Sequence, residues 1–332
     1  MTKRIAIIGA GSWGTALAII AARAGHEVTI WSRDPQVVHS INEERVNGRY
    51  LTSASIPDRV TATNNITAAL NEASVVLLAA PSHAARELLT QMSPALDESA
   101  IIVSVSKGIE IETGKRISEI AKETVDASHP FVCLSGPSFA KEVVIGQPTA
   151  VVAASKDAIA ARTVQADLSF ENLRIYTNTD VVGTELGGSV KNVMAIAAGM
   201  TTGSGLGSNS VAALITRGLA EITRLARREG AQMETLMGLA GLGDLVLTCT
   251  GSLSRNRFVG EQLGKGISLD EISAGMNEVA EGIKTTLAVK QLADRAGLEL
   301  PITNEVKAVL YDGKSVPDAV SELMSRPLRE EV

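Results

Sequence analysis

Three glycines near the N-terminus have the spacing of a dinucleotide-binding turn, because Gly9, Gly11 and Gly14 form a GxGxxG motif. In such a motif the first glycine permits a tight turn, the second lets a pyrophosphate approach the backbone, and the third lets a helix pack on a strand. The motif follows an apolar run at 4–8 and opens a helical pattern at 13–24, whose N-terminus would supply amide donors. This context predicts a nicotinamide dinucleotide site rather than a glycine-rich turn without a ligand.

The residues after the next apolar run bear on which dinucleotide binds. NAD-selective sites carry an acid there, whereas this chain has Ser32, Arg33 and Asp34. A guanidinium pairs bidentately with a phosphate, so Arg33 favours the 2′-phosphate of NADP(H). Asp34 keeps NAD(H) as an accepted second cofactor. The prediction is therefore NADP(H) preferred with NAD(H) tolerated, and a solvated surface charge is the alternative role for Arg33.

A second group of residues, further along the chain, has the chemistry to hold and protonate a small anionic substrate. Lys107 follows an apolar run at 100–105, at the carboxyl edge where α/β sheets bind ligands. Gly136 and Ser138 lie between an apolar run and a helix start, which is a favourable place for an anion. A solvated loop lysine is the alternative for Lys107.

The strongest candidate for proton transfer is Lys191, within a helical pattern at 180–200. Gly187 shares its helix face four positions earlier, and with Gly188 it would leave room beside the lysine for a ligand. Asn192 is able to orient a substrate hydroxyl, and Asp244 precedes an apolar run. The histidines have no aspartate partner at motif spacing, so lysine-dependent chemistry is favoured. A solvated helix lysine and a helix cap are the alternatives for Lys191 and Asp244.

Three consecutive residues, Ser254, Arg255 and Asn256, offer a hydroxyl, a guanidinium and an amide, which together suit a phosphate. An N-cap followed by a solvated charge is the alternative interpretation of this segment.

The elements needed to position these residues follow from the apolar pattern. In the first half, short runs of apolar residues alternate with helical patterns, which predicts βαβ units and a parallel sheet. The expected strands are 4–8, 28–31, 75–79, 100–105, 131–134, 150–153 and 173–176. After residue 176 only helical patterns follow. The sequence therefore predicts an α/β chain with a Rossmann-type doubly wound sheet at 1–180 and an all-helical substrate-binding domain at 181–332.

Composition excludes several other classes of protein. The chain has 332 residues, a formal net charge of −6 and 3% aromatic residues, which argues against nucleic-acid binding. Its two cysteines, Cys133 and Cys249, lie in apolar surroundings, so we expect buried free thiols and no metal site. No apolar stretch reaches the roughly 18 residues of a membrane span, and the N-terminus enters a strand directly. We expect a cytoplasmic protein.

With these motifs in chain order, the sequence resembles the bacterial NAD(P)-dependent glycerol-3-phosphate dehydrogenases. The matching segments are IGAGSWGTALA, VSKGIE, LSGPSFAKEV, ELGGSVKNVMAIAAGM, GLAGLGDLVLTCTGSLSRNRFVG, VAEGIKTT and LPITNEV. The resemblance implies reduction of dihydroxyacetone phosphate to sn-glycerol 3-phosphate for phospholipid synthesis, by a homodimer with a Rossmann domain followed by a helical domain. Asp34 departs from the His or Arg that the family often carries beside Arg33.

The resemblance also implies roles for individual residues. Lys191 matches the family's proton acceptor. Besides the three glycines, the positions that match dinucleotide contacts are Ser12, Trp13, Arg33, Lys107, Ala140, Arg255, Val279 and Glu281. The positions that match substrate contacts are Lys107, Gly136, Ser138, Lys191, Asp244, Ser254, Arg255 and Asn256. Threonine is frequent in the family at the position of Ser138, so a hydroxyl is kept.

Two alternatives stay open at this point. One is another two-domain hydroxyacid dehydrogenase, of the 6-phosphogluconate or β-hydroxyacid type. The other is a non-catalytic dinucleotide sensor, which would need no proton donor. The GLGDLVLTCT and SRNR segments favour the glycerol-phosphate pattern over the first, and the joint presence of Lys107, Lys191, Asp244 and Arg255 argues against the second.

Overall fold

The computed structural model describes residues 2–276, 280–328 and 330. Its first half is built on one eight-stranded sheet with the order β3-β2-β1-β4-β5-β6-β7-β8. The strands are β1 (Arg4–Ile8), β2 (Glu27–Trp31), β3 (Val60–Thr63), β4 (Val75–Leu78), β5 (Ile101–Ser104), β6 (Phe131–Ser135), β7 (Thr149–Ala154) and β8 (Leu173–Asn178). The predicted fold class is confirmed, since this sheet is followed by a helical region.

Helices cover both faces of the sheet, which explains why the central strands are apolar throughout. Alternate residues of β1 enter two different cores: Ile5 and Ile7 face one, and Ala6 and Ile8 face the other. The helices of this half are α1 (Ser12–Arg23), α2 (Pro35–Glu43), α3 (Ile66–Leu70), α4 (Ala85–Met92), α5 (Ile117–Thr124), α6 (Ala140–Val144) and α7 (Ala158–Leu168). The first core is covered by α1, α2, α6 and α7, and the second by α3, α4 and α5.

The sheet differs from the sequence prediction in two strands. The pattern did not predict β3, a four-residue edge strand with Val60 and Ala62 buried and Thr61 exposed, which pairs with β2 alone. One strand departs from the parallel arrangement expected of βαβ units, because β7 runs antiparallel to β6. Between Ser135 and Thr149 the chain forms only the five-residue helix α6, so it returns beside β6 instead of crossing over the sheet.

The second half is helical and is organised around one long buried helix, α8 (Val181–Gly203). The other helices are α9 (Ser208–Arg228), α10 (Met233–Met237), α11 (Asp244–Thr250), α12 (Arg255–Gly264), α13 (Leu269–Ala274), α14 (Glu281–Ala296), α15 (Pro301–Tyr311) and α16 (Val316–Met324). A π-helical turn, Leu239–Gly243, leads directly into α11. The helices α10–α13 and α16 were not predicted, because helices of five to ten residues carry too few apolar repeats to show a period.

The segment 105–116, between β5 and α5, connects the sheet to the helical half. Ile109 in this segment belongs to the apolar core built around α8. Just after the segment, at the start of α5, the Ser118 hydroxyl and backbone N–H donate to the buried carboxylate of Glu185 on α8, the N–H at 2.7 Å. The predicted buried free thiols are confirmed for Cys133 and Cys249. Among the residues described, no helix is long and apolar enough to cross a membrane.

Candidate active site

The glycine-rich turn has the shape that a pyrophosphate needs. Gly9 has φ +122°, and a Cβ there would lie 2.5 Å from the Ala79 carbonyl oxygen. A Cβ on Gly14 would lie 2.0 Å from the Gly9 carbonyl oxygen, so α1 can pack on this turn only without a side chain. Gly11 is the N-cap residue of α1, and a Cβ there would meet no atom of the described residues within 4 Å. The turn is therefore closed toward the protein and open where α1 begins, which fits a bound dinucleotide.

The other predicted cofactor residues lie around the same edge of the sheet. The Ser12 hydroxyl donates to the Tyr50 carbonyl oxygen at 2.7 Å, and the buried Nε1 of Trp13 has no hydrogen-bond partner among the described residues. Ala140 is the first residue of α6. Glu281, the first residue of α14, accepts a hydrogen bond from the Ser82 hydroxyl at 2.8 Å. Arg33 is exposed, and Val279 lies outside the described residues.

Two lysines and one aspartate, from three distant segments, form a buried charge cluster. The Lys107 ammonium donates to Asp244 Oδ2 at 2.7 Å and to the Gly136 carbonyl oxygen at 3.0 Å. The Lys191 ammonium donates to Asp244 Oδ1 and to the Thr248 hydroxyl, the latter at 2.8 Å. An ammonium has three donors, so each lysine keeps one N–H beyond its bonds to the described residues. The cluster can therefore offer two donors to one small anionic or carbonyl ligand.

Burial sets the electrostatics of this cluster. Asp244 is 1% exposed and the Lys107 side chain 20% exposed. The pKa of Lys191 is lowered to about 7, chiefly by burial and also by the positive charge of Lys107, whereas the Asp244 carboxylate opposes both effects. A lysine whose pKa lies near neutral pH can exchange a proton with a substrate in either direction.

The two glycines on α8 have a different role from the predicted one. The space beside Gly187 is filled by the Ala240 carbonyl oxygen, 2.5 Å from where a Cβ would lie. The space beside Gly188 is filled by the Ser135 hydroxyl, also at 2.5 Å from that position. The expectation that these glycines leave room for a ligand is wrong. They let the turn before Asp244 and the end of β6 approach the helix that carries Lys191.

The predicted phosphate-binding residues lie at the start of α12. The Ser254 hydroxyl caps this helix by accepting from the Arg257 backbone N–H at 3.2 Å, and Arg255 is exposed. The Asn256 side chain is buried and donates to Asn192 Oδ1 at 2.9 Å, while its own oxygen accepts from the Gly282 N–H at 2.9 Å. Asn192 and Asn256 thus join α8, α12 and the start of α14.

The segment after β6 completes the wall of the site. Gly136 has φ +143°, a backbone conformation that residues with a Cβ rarely adopt. Its carbonyl oxygen accepts a hydrogen bond from Lys107. The Ser138 hydroxyl donates to the same carbonyl oxygen at 3.0 Å. Both residues therefore lie beside the lysine cluster.

The sequence prediction missed Thr248, whose hydroxyl accepts from Lys191 and donates to the Asp244 backbone carbonyl oxygen at 2.6 Å. It lies four residues after Asp244 on α11, and so on the same helix face. That spacing is the one sequence signal that could have indicated it. No group of three or more His, Cys, Asp or Glu side chains able to hold a metal ion occurs within residues 2–276, 280–328 and 330.

Two profiles of one protein family match this chain. The N-terminal profile of NAD-dependent glycerol-3-phosphate dehydrogenases matches residues 4–161, and the C-terminal profile matches residues 180–321. Glycerol-3-phosphate dehydrogenase [NAD(P)+] of Koribacter versatilis is 56% identical over 334 aligned positions, covering 99% of each chain. Its counterpart in Citrifermentans bemidjiense is 50% identical and covers 100% of this chain and 99% of its own. The crystal structure of glycerol-3-phosphate dehydrogenase from Coxiella burnetii has a TM-score of 0.95 and 41% identity, covering 98% of this chain and 99% of that one.

Proposed function

Because this chain belongs to the family of NAD-dependent glycerol-3-phosphate dehydrogenases, we propose that its buried lysine–aspartate cluster carries out the proton transfer of that reaction. The chain is an oxidoreductase that reduces dihydroxyacetone phosphate to sn-glycerol 3-phosphate with NAD(P)H. When bound, NAD(P)H supplies the hydride that adds to C2 of the substrate. The observation that carries the assignment is the meeting of Lys107, Lys191 and Asp244 in one cluster.

Lys191 is the proton donor in the reducing direction. As C2 receives the hydride, negative charge develops on the carbonyl oxygen, and the Lys191 ammonium gives it a proton. In the oxidising direction the neutral amine takes the hydroxyl proton. Burial supports both roles because it lowers the pKa of Lys191 to about 7. Asp244 and Thr248 fix the direction of the ammonium by accepting two of its protons.

The remaining residues bind and orient the substrate. The third N–H of Lys107 bonds a substrate oxygen, and its charge keeps the pKa of Lys191 low. The substrate phosphate lies near the start of α12, where Arg255 provides a guanidinium and Ser254 a hydroxyl beside the helix N-terminus. Gly136 and Ser138 line the opposite wall. Asn256 contributes to substrate binding only indirectly, because its side chain is already hydrogen-bonded to Asn192 and Gly282.

The dinucleotide lies along the opening at Gly11, with Ser12 and Trp13 beside it and Glu281 at the far end. The enzyme uses NADP(H) in preference to NAD(H), and the exposed guanidinium of Arg33 after β2 supports this preference. Val279 keeps its proposed cofactor role on the strength of the family resemblance alone.

Features outside the site support the proposed domains, oligomeric state and location of the enzyme. The end of β8 at Asn178 and the start of α8 at Val181 support a dinucleotide-binding domain at 1–180 and a helical catalytic domain at 181–332. Exposed apolar side chains on the helical domain, among them Met237, Val246 and Phe258, support a homodimer. Two free thiols support a cytoplasmic location. The family resemblance supports a role in supplying glycerol 3-phosphate for phospholipid synthesis.

One assay tests the proposed function. Oxidation of NADPH and of NADH is followed with dihydroxyacetone phosphate and with a panel of keto acids and sugar-acid phosphates. We expect kcat/KM for dihydroxyacetone phosphate to exceed that for the other substrates by at least about a hundredfold, because the site contains both a phosphate-binding helix start and a proton donor. Preference for a keto acid would favour a different hydroxyacid dehydrogenase, and cofactor binding without turnover on any substrate would favour a sensor.

A further inference from the structure

The carboxylate of Asp34 already has partners in the protein. It caps α2 by accepting from the Gln36 backbone N–H at 2.9 Å, through Oδ1. Its other oxygen pairs with the Arg49 guanidinium at 2.6 Å. The Arg49 side chain is 54% exposed, so solvent screens the pair and it holds the two residues together only weakly. Asp34 and Arg49 can therefore separate when a better partner arrives.

Arg49 belongs to a segment that is fastened to the glycine-rich turn. The Asn47 side chain donates to the Ala10 carbonyl oxygen and to the Thr15 hydroxyl, both at 2.8 Å. The Tyr50 carbonyl oxygen accepts from the Ser12 hydroxyl at 2.7 Å. Between these two anchors the Arg49 guanidinium lies 5.3 Å from the centre of the Tyr50 ring and reaches across to the end of β2. The segment thus brings a second arginine to the edge where Arg33 and Asp34 already lie.

This edge is where a dinucleotide bound at the turn places its adenosine ribose, since the residues after the second strand contact the 2′ position. Arg33, Asp34 and Arg49 then face one 2′ substituent. A guanidinium has five donors in a planar fork, so Arg49 can turn from a carboxylate to a phosphate without leaving its place on the segment.

Building on the proposed function, we propose that Asp34 and Arg49 form an exchangeable ion pair through which one site accepts both cofactors. With NADP(H), Arg49 joins Arg33 on the 2′-phosphate and separates that phosphate from the Asp34 carboxylate. With NAD(H), the Asp34 carboxylate accepts a hydrogen bond from the ribose 2′-hydroxyl, and Arg49 remains paired with Asp34. Arg49 is thus a specificity-determining residue, and Asp34 is the acceptor that keeps NAD(H) usable.

The proposal is tested by direct binding, independently of turnover. The dissociation constants of NADPH, NADH and the fragment adenosine 2′-monophosphate are measured by titration calorimetry at two salt concentrations. For Arg49→Ala we expect Kd for NADPH and for the fragment to rise about tenfold, with Kd for NADH changed less than twofold and with a smaller salt dependence for NADPH. For Asp34→Asn we expect the opposite: Kd for NADH rises several-fold and Kd for NADPH falls.

The controls separate this exchange from other effects. Asn is as good an N-cap as Asp, so Asp34→Asn keeps the start of α2 while removing the charge. Arg59→Ala is the matched variant, because Arg59 is about as exposed as Arg49 and pairs with Glu27 at the opposite end of β2. It should change neither cofactor's Kd.

Two outcomes would overturn the proposal. Equal weakening of NADPH and NADH in Arg49→Ala would mean that Arg49 supports only the turn, and no change in either Kd would mean that it does not reach the cofactor. Either result would leave the reduction of dihydroxyacetone phosphate intact. Loss of that activity in the unsubstituted enzyme would instead contradict the proposed function, so the two failures are distinguishable.

Discussion

The glycine-rich turn and the lysine–aspartate cluster solve opposite physical problems. The turn offers backbone donors where α1 begins, and Gly9 and Gly14 are needed because side chains there would collide with the Ala79 and Gly9 carbonyl oxygens. The cluster offers charged side chains brought together over 137 residues between Lys107 and Asp244 and over 53 between Lys191 and Asp244. A site built from backbone costs little desolvation, whereas a site built from buried charges must be held together by tertiary packing. The turn can therefore bind a cofactor by local geometry, while the cluster obtains its reactivity from burial.

The largest effect should come from removing the proton donor. We expect Lys191→Ala to lower kcat by about a thousandfold, which is within the range for loss of a general acid or base, while Kd for NADPH changes less than twofold. Steady-state kinetics and cofactor titration measure the two quantities separately. Lys290→Ala, on an exposed face of α14 where the lysine pairs with Asp294, is the control and should leave both unchanged. A kcat close to that of the unsubstituted enzyme would remove Lys191 from the mechanism.

The next effect concerns the helix that holds the cluster. Burial raises the pKa of Glu185 to about 7, above the 4.5 expected in the unfolded chain. A raised carboxyl pKa favours the folded state at low pH, and this contribution is lost as pH rises from about 4.5 to 7. At about 1.4 kcal/mol per pKa unit the loss is about 3 kcal/mol.

The glutamine in Glu185→Gln cannot ionise, so the free energy of unfolding of this variant should not decrease in this way as pH rises. Urea unfolding measures the free energy of unfolding of both proteins at each pH. Between pH 4.5 and 7 the value for Glu185→Gln should rise by about 3 kcal/mol relative to that of the unsubstituted protein. Among the described residues, two charged side chains face Glu185: Arg116, which precedes α5, and Glu119 within α5. The Cys133 thiol on β6 is a further titratable group that faces it. A difference that does not vary with pH would indicate that Glu185 stays ionised in its bonds to Ser118 and Arg116.

Two glycines of the turn should separate folding from binding. Gly14→Ala places a Cβ 2.0 Å from the Gly9 carbonyl oxygen, so we expect the free energy of unfolding to fall by about 2 kcal/mol and cofactor affinity to be lost with it. Gly11→Ala meets no atom of the described residues within 4 Å, so it should leave stability unchanged and weaken only cofactor binding. Thermal unfolding and NADPH titration of both variants measure the contrast. Equal stability of the two variants would show that the turn tolerates a side chain at Gly14.

The smallest effect is expected from the exposed arginine at the start of α12. Arg255→Ala should raise KM for dihydroxyacetone phosphate about tenfold, because one charge-assisted phosphate contact is lost, and should change kcat little. Arg257 lies on the same helix and pairs with Glu261 at 3.9 Å, so Arg257→Ala is the comparison variant. An unchanged KM in Arg255→Ala would mean that the substrate phosphate binds elsewhere.

Local patterns were sufficient for much of the fold. The strands β1 and β4 were predicted because both are apolar on both faces, and α1 because it follows the motif directly. The edge strand β3 was missed because Val60–Thr63 is short and only half buried. The reversal at β7 could not be read from residue types, since strand direction depends on the path of the connection rather than on the strand itself.

The candidate site, like the fold, has features that local patterns predicted and features that only the folded chain shows. The identities of Lys107, Lys191 and Asp244 were visible as unusual residues beside glycines, and the family pattern assigned them to one site. The reason for the glycines was not visible: Gly187 and Gly188 admit the Ala240 carbonyl and the Ser135 hydroxyl rather than a ligand. The same holds for Asp34, whose carboxylate is engaged by Arg49 fifteen residues away.

The sequence by itself determined the turn, the order of strands and helices around it, and the family to which the chain is similar, because these depend on residues close together in the chain. Only the tertiary structure decided that two lysines share one aspartate, that Thr248 joins them, and that burial brings the pKa of Lys191 to about 7. Desolvation is a property of everything packed around a group, and the groups that bury Lys191 come from several segments of the chain that meet only in the folded protein.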